Sequence, residues 1–373
     1  MIACASAPAS RTSRLRRLTS IRASGFGVVE LLVAMTLSLI LIAGVLSVVI
    51  SSKITYNEND RVARAQEASR AALDVILRDL RGAGFPGCAQ PLTGLVQINN
   101  ALADSDLLLW NFSSPLQGFE AQADGWAPAL DPAVVPAALA SGALPGNDII
   151  AVRTIRSGAP VFHTTAVTHP SDHNLVVAGP VNQSPSGGPV MISDCANATI
   201  FVPSNFTPAD TTATLSWSTG GSDPANAAAS LTATFAVGAQ VAPVTTVIYY
   251  IAPGSSSEDA SIAPSPSLWR IVGPNQPEEV IPGVEAMQIQ YGVDVDGDTF
   301  VDEYDTADVV DAAGNWPNVV SISLALLIRS PLPNARELDM RQYNLLGNLV
   351  GPFNDHYERT LFTTTVALRE RSI

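Results

Sequence analysis

The sequence predicts an α+β protein in which one long N-terminal α-helix packs on a β-rich C-terminal globular domain. An apolar stretch without an ionisable residue occupies residues 31–52. Helical spacing of apolar and small residues then continues over residues 53–81, without a glycine or proline. Beyond Gly82, short β-rich runs alternate with turn residues. With 373 residues the chain is long enough to bury a sizeable core.

Charge is distributed unevenly along the chain. Residues 1–25 contain five arginines and no acid, although the whole chain carries a net charge of -14. Without those arginines, 15 basic residues remain against 34 acidic ones, so the rest of the chain carries -19. A nucleic-acid surface needs clustered basic residues to neutralise phosphates, so this composition argues against a nucleic-acid partner.

The apolar stretch has the length of a membrane span. A helix over residues 31–52 would rise roughly 33 Å, enough to cross a hydrocarbon core of about 30 Å. Because the basic flank precedes it, the positive-inside rule keeps residues 1–25 in the cytoplasm and places the chain after Lys53 outside. The sequence therefore predicts a single-pass membrane protein with an extracytoplasmic domain.

Glu30 is the one ionisable residue near the start of this segment, and it needs a partner. A carboxylate in an apolar helix costs several kcal/mol unless it is paired. A plain membrane anchor leaves Glu30 unexplained. Cleavage between Gly25 and Phe26 would create an α-amine one helical turn from Glu30, and that amine could also pair with Glu30 of a neighbouring subunit.

Residues 22–30, which read RASG followed by FGVVE, resemble the type IV prepilin processing site. In that family a leader ending in glycine is removed before phenylalanine, and glutamate occupies the fifth position of the mature chain. The resemblance implies that prepilin peptidase cuts between Gly25 and Phe26, that the Phe26 amine is methylated and that Glu30 serves assembly. Gly27 departs from the common threonine, and Ser47 replaces a helix-bending proline.

The resemblance divides the chain into a removed cytoplasmic leader (1–25), a transmembrane and pilus-core half of the helix (26–52), an amphipathic half (53–81) and a β-rich domain with long loops (82–373). One face of the amphipathic half carries a stripe predicted to pack on the domain: Val62, Ala65, Ser69, Ala72, Ile76 and Leu80. The opposite face carries i,i+4 charge pairs, Asp60 with Arg64 and Asp74 with Arg78. Gly82, Gly84 and Pro86 are expected to end the helix.

The domain is predicted to contain mostly short strands. They are expected at residues 107–110, 148–153, 174–177, 190–193, 199–202, 213–217, 231–235, 245–251, 268–272, 283–295, 319–329 and 360–369. Long surface loops are expected at residues 127–145 and 253–266, which are rich in alanine, proline and serine.

Several local stretches resemble the PilW group of minor pilins. They are residues 80–88 (LRGAGFPGC), 192–195 (ISDC), 284–292 before an Asp-rich loop, and 362–369 (FTTTVALR). The resemblance implies a minor pilin that helps to initiate pilus assembly in a tip complex, with other minor pilins, the major pilin and a tip adhesin as partners. It implies a location in the inner membrane with a periplasmic domain, then in the pilus. Residues 111–147 and 203–265 match nothing in this group.

Removal of the leader would also remove Cys4, so two cysteines remain in the mature chain. Cys88 and Cys195 then lie in a compartment where disulfides persist, so we expect them to be bonded to each other. Two buried free thiols are the alternative. A metal site built from two cysteines without nearby histidines is disfavoured.

The Asp-rich loop has the oxygen spacing of a Ca²⁺ site. Its ligands would occupy loop positions 1, 3, 5, 7, 9 and 12: Asp294, Asp296, Asp298, the carbonyl of Phe300, Asp302 and Asp305. Thr299 stands where an EF-hand has glycine, Asp305 replaces the usual glutamate, and no apolar helix is expected to flank the loop. An acidic turn without metal is the alternative.

Catalysis has little support in the sequence. It contains no GxSxG, HExxH or phosphate-binding glycine loop, and its four histidines lack a nucleophile context. We therefore expect no enzyme and no catalytic residues. A pseudopilin of a type II secretion system shares the N-terminal motif and is the first alternative; a membrane-tethered ligand-binding module or enzyme is the second. The C-terminal residues favour the minor pilin.

Overall fold

A computed structural model describes residues 27–84, 97–185, 187–194, 196–221, 224–257, 261–333 and 337–368. The chain divides into two compact units, Met1–Asn59 and Asp60–Ile373. Helix α1 spans Val28–Arg81 and contributes to both units. It ends before Gly84, whose φ of 68° is the left-handed conformation that favours glycine. The Gly84 N–H donates a 2.8 Å hydrogen bond to the carbonyl of Arg153, which directs the chain onto the sheet.

The described part of the first unit is the apolar portion of α1. Every residue from 27 to 50 is exposed to solvent in the isolated chain. By length and composition, the segment Val28–Asn57 could cross a membrane. An apolar surface of this length requires a non-aqueous environment, supplied by lipid or by other apolar helices.

In the second unit, the remainder of α1 packs on the domain through the predicted stripe. Ala72, Ile76 and Leu80 are almost completely buried. Side chains of the other predicted members of the stripe, Val62, Ala65 and Ser69, lie outside the described set. On the solvated face, Asp60 pairs with Arg64 and Asp74 pairs with Arg78, each at 3.0 Å, as predicted.

The other helices are short: α2 (Ala137–Gly142), α3 (Ala307–Ala313) and a 3₁₀ helix (Trp316–Asn318). The strands are β1 (Gln97–Asn100), β2 (Leu116–Gln122), β3 (Gly125–Ala127), β4 (Ile149–Ile155), β5 (Phe162–Thr164), β6 (Asn174–Ala178), β7 (Val190–Ser193), β8 (Asn197–Phe201), β9 (Asn205–Pro208), β10 (Thr212–Ser216), β11 (Gln240–Pro253), β12 (Pro266–Val272), β13 (Glu278–Pro282), β14 (Val284–Val293), β15 (Glu303–Asp305), β16 (Val319–Arg329), β17 (Tyr343–Leu345), β18 (Asn348–Val350) and β19 (Arg359–Ala367). These elements establish the mixed α+β class.

Strand β11 joins two parts of a large mixed sheet. Its first residues pair with β7 and β5, and its later residues pair with β4 and β12. Along its second half, alternate side chains face two different hydrophobic clusters, with Tyr249 in one and Tyr250 in the other. A separate sheet has the order β15-β14-β16-β19, and β17 and β18 form a hairpin.

The main core contains side chains from α1 and from both sheets. Apolar side chains from the helix, from β11 and from the central strands β14 and β16 form one buried cluster. Ile289 and Leu324 are typical members, at 2% and 1% exposure. Packing of this kind, rather than helix propensity, holds the amphipathic half of α1 in place.

Most predicted strands agree with the structure to within a few residues, but two were wrong. Residues 107–110 form a turn, in which the Trp110 N–H donates to the Leu107 carbonyl at 2.9 Å. Residues 231–235 make only an isolated bridge, between Phe235 and Thr168. Both segments bury large apolar side chains. A short buried run has the same apolar pattern whether or not it is a strand, so the pattern alone did not distinguish the two. The loop predicted at 127–145 also contains α2.

Candidate functional site

The predicted processing site lies at the boundary of the described chain. Gly25 and Phe26 fall outside the described residues, which begin at Gly27. Glu30 lies in the first turn of α1, and its N–H donates to the Gly27 carbonyl at 3.0 Å. An acidic side chain here is favoured by the positive end of the helix dipole.

The Asp-rich loop connects β14 to β15 and is organised around the carboxylate of Asp294, which is 6% exposed. This carboxylate accepts backbone hydrogen bonds from Gly297 at 2.7 Å, from Asp298 at 3.2 Å and from Thr299 at 2.9 Å. The first residue of the loop thus fixes the backbone of the turn that follows it. Asp302 closes the loop by accepting a 2.7 Å hydrogen bond from the Val295 N–H.

Three of the predicted metal ligands come together. Carboxylate oxygens of Asp294, Asp296 and Asp302 lie within 4.8 Å of one another, close enough to bind one cation. Asp298 and Asp305 are not members of this group. Asp305 lies in β15, opposite Tyr291 of β14. Oxygen ligands of this type suit a hard cation such as Ca²⁺.

Repulsion among these carboxylates affects their protonation. The hydrogen bond from the Asp298 N–H lowers the pKa of Asp296, but desolvation and the charges of Asp298, Asp302 and Asp294 outweigh it and raise that pKa. The Phe300 side chain has no oxygen atom, so its backbone carbonyl is the only ligand that this residue could offer. A bound cation would relieve the repulsion.

Two structural details of this loop bear on what the sequence predicted: the backbone conformation of Thr299 and the elements that flank the loop. Thr299 adopts a φ of 73°, the conformation for which an EF-hand uses glycine, so the turn forms although the residue differs. Strands β14 and β15 flank the loop directly, and a short helix that the sequence analysis did not predict follows them. Helix α3 begins two residues after β15 and buries Ala307 and Val310. Its seven residues are too few to show a clear helical period in the sequence.

All three cysteines lie outside the part of the chain that the structure describes, so the disulfide stays a prediction. Described residues on either side of the two retained cysteines in the sequence lie close together in the fold. Gly84, Ile98, Met191 and Ile200 line one open recess. Strand β1 pairs in parallel with β8, with Gln97 opposite Asn197. Cys88 follows Gly84 by four residues, and Cys195 precedes Asn197 by two.

Residues 248–370 match the family described as type IV pilus-assembly protein W, or PilW. The match begins in β11 and extends past β19, so it includes the Asp-rich loop and the entire four-stranded sheet. It indicates a part in type IV pilus assembly, together with other pilus components. No curated protein and no solved structure matches the chain. The PilW match contains two of the four stretches that suggested the family, residues 284–292 and 362–369.

Proposed function

We propose that this chain is a minor pilin that helps to initiate type IV pilus assembly, within a tip priming complex that contains other minor pilins and a tip adhesin. The PilW match is the observation that carries the proposal. The matched sheet and the last turns of α1 contribute to one buried cluster, which contains Ile76, Leu80, Ile289 and Leu324. The end of α1 therefore shares a hydrophobic core with the part of the domain that matches the PilW family.

The exposed apolar portion of α1 is consistent with this role. Before assembly it would lie in the inner membrane, and in the pilus it would pack against the helices of other minor pilins and the major pilin. Prepilin peptidase would remove residues 1–25, and the new Phe26 amine, once methylated, would still carry a positive charge for Glu30. This pairing would offset the cost of a carboxylate in an apolar environment.

Two features would stabilise the periplasmic domain. Ca²⁺ would bind the carboxylates of Asp294, Asp296 and Asp302, with the Phe300 carbonyl as a further oxygen ligand. A disulfide between Cys88 and Cys195 would connect the chain after α1 to the turn between β7 and β8. The converging positions of Gly84, Ile98 and Met191 support this connection.

Complementation of a deletion strain tests the role in assembly. Wild-type protein should restore surface pili. Glu30→Ala should leave cleavage largely intact but reduce piliation, whereas Glu67→Ala, which removes an exposed carboxylate from the solvated half of α1, should restore pili normally. Normal piliation without the protein, combined with a defect in type II secretion, would reject the pilus role in favour of a pseudopilin.

Mass spectrometry of membrane-extracted protein tests the processing step separately. The mature chain should begin at Phe26 with a methylated amine. Gly25→Glu should retain the leader, because the residue before the cut is replaced by a large charged one, while Gly27→Ala should be processed. An intact leader in wild-type cells that contain active prepilin peptidase would contradict the proposed cleavage.

A further inference from the structure

Two acidic side chains meet inside the domain, away from the Asp-rich loop. Glu120 lies in β2, and Asp148 immediately precedes β4. These strands are antiparallel with Phe119 opposite Ile149, so the next position along the register sets Glu120 opposite Asp148. Like charges directly opposite each other on paired strands are destabilising.

The described surroundings of this pair offer few hydrogen-bond donors and no basic partner. Asp148 is 1% exposed and accepts backbone hydrogen bonds from Ala121 at 2.9 Å and from Ile289 at 2.7 Å. Glu120 retains a buried carboxylate oxygen, Oε2, without a partner. Within the ranges that the structure describes, no basic side chain forms an ion pair with either residue.

The elements packed against the pair add another acid and an unpartnered hydroxyl group. Helix α3 brings the charge of Asp308 near Glu120, and the Ala307 N–H of the same helix hydrogen-bonds Glu120. From β14, the fully buried Tyr291 hydroxyl makes no hydrogen bond. It fits against Gly118, where an added Cβ would overlap the hydroxyl oxygen. Ionisation of both carboxylates would therefore place one negative charge on the fully buried Asp148 and another on the half-buried Glu120 opposite it, with no basic partner among the described side chains.

We propose that the Glu120 and Asp148 pair binds a proton in the folded domain at neutral pH, and that its loss at mildly alkaline pH weakens the packing of β14 and α3 against β2. The proton removes the repulsion while Asp148 keeps its bonds to Ala121 and Ile289. Release of the proton leaves two negative charges opposite each other and destabilises the packing of β14 and α3 against β2. The pair thus makes the contact between the large sheet and the four-stranded sheet sensitive to pH.

The raised pKa values of the two carboxyl groups agree with this geometry. Burial, and then the charge of Glu120, raise the pKa of Asp148 to about 8, and burial raises the pKa of Glu120 to about 7. Because these values exceed those of the unfolded chain, the folded state binds more protons between about pH 4 and about pH 8. The stability from this pair is therefore complete below about pH 4 and is lost as the pH rises to about 8.

Urea unfolding of the full chain in detergent micelles, from about pH 5 to about pH 9, tests the proposal. The unfolding midpoint of the wild-type protein should fall with increasing pH, and Glu120→Gln should flatten this fall because one of the two interacting charges is removed. The control Asp124→Asn removes an exposed carboxylate from the β2–β3 turn and should keep the wild-type slope. Equal slopes in the wild-type protein and Glu120→Gln would overturn the proposal.

A spectroscopic measurement keeps the test independent of variant stability. The infrared C=O stretch of a protonated carboxyl group should be present in the folded wild-type protein near pH 6 and lost near pH 9. Asp124→Asn should retain this band, and Tyr291→Phe should also retain it because both acids remain. Absence of a protonated carboxyl band near pH 6 in the folded wild-type protein would equally reject the shared proton.

Discussion

The hydroxyl group of Tyr249 donates a 2.6 Å hydrogen bond to the carboxylate of Asp79, joining the last turns of α1 to β11. Asp79 is 9% exposed, and the guanidinium of Arg270 lies 4.0 Å from it. Arg270 in turn pairs with Glu278. Burial, and then the Asp79 charge, raise the pKa of Tyr249, so its proton stays in place for this bond. A buried polar contact thus orients a helix that otherwise packs through apolar side chains.

Tyr249→Phe should lower the free energy of unfolding by about 1–3 kcal/mol, because the buried Asp79 carboxylate loses its shortest hydrogen bond. Tyr250→Phe is the matched control, since its buried ring faces another cluster. Urea unfolding of the full chain in detergent measures both. Similar losses in the two variants would show that the Asp79 contact contributes nothing specific.

Arg359 holds the C-terminal strand β19 to three acidic residues. Its fully buried side chain bonds to Glu285 at 2.5 Å, to Asp355 at 2.7 Å and to Asp339 at 3.2 Å. Its guanidinium also lies 3.6 Å from the ring centre of Phe353. Arg359→Met should cost about 3–5 kcal/mol, because the carboxylates of Asp339 and Glu285 then lose the buried cation that lies between them.

Arg341→Met provides the comparison for that prediction. Arg341 contacts Asp339 at 3.0 Å, but its side chain is 58% exposed, so its removal should cost about 0–1 kcal/mol. Chemical denaturation measures both variants. A loss for Arg359→Met no larger than that for Arg341→Met would contradict the central role of Arg359.

The same network predicts a loss of stability in acid. Hydrogen bonds from Arg359 lower the pKa of Asp355 below its ordinary value of 3.8. Stability from this pair is therefore present above about pH 4 and lost as the pH falls through the lowered pKa. Asp355→Asn should reduce the acid dependence of the unfolding midpoint, while Asp124→Asn should leave it unchanged. An unaltered acid limb in Asp355→Asn would disagree with this prediction.

Calcium should raise the melting temperature of the full chain relative to a chelator. At 100 times the dissociation constant, the gain would be about 2.7 kcal/mol if the unfolded chain does not bind the ion. Asp294→Asn should abolish the shift, because Asp294 contributes to the oxygen group and organises the turn. Asp305→Asn should retain it, since Asp305 lies outside that group. Equal melting temperatures of the wild-type protein in calcium and in chelator would favour an acidic turn without metal.

Cys88 and Cys195 should be recovered as one cross-linked peptide pair under non-reducing conditions. Cys88→Ser should lower the stability by about 2–5 kcal/mol, because the unfolded chain loses its constraint. Cys4→Ser, which changes only the leader, should leave the stability of the mature protein unchanged. Recovery of both cysteines as free thiols without prior reduction would reject the bond.

Local patterns predicted the elements of this protein better than its buried polar contacts. The helix and the long strands β14 and β16 were predictable because their apolar residues repeat over many positions. Glu120 and Asp148 meet only through the pairing of β2 with β4, and no local pattern specifies that register. Arg359 and Glu285 are likewise far apart in the sequence and come into contact only through the fold.

The Asp-rich loop was predictable because its acids are close in sequence, yet only three of them converge. Asp305 was included by spacing alone, but pairing with Tyr291 incorporates it into β15. Short elements set a similar limit. Helix α3 has too few residues for periodicity. The buried apolar runs at 107–110 and 231–235 resemble strands in the sequence, but the first forms a turn and the second makes only an isolated bridge.

The position of β11 limits how this domain can diversify. A shift of one residue along β11 would exchange the places of Tyr249 and Tyr250 and turn each towards the wrong cluster. The same shift would displace the pairing of its first residues with β7 and β5. An insertion or deletion within β11 should therefore destabilise the domain, whereas a change of length in a surface loop should be tolerated better. A graft that exchanged the region from β5 to β10 with that of a related protein would have to retain the complete β11 strand.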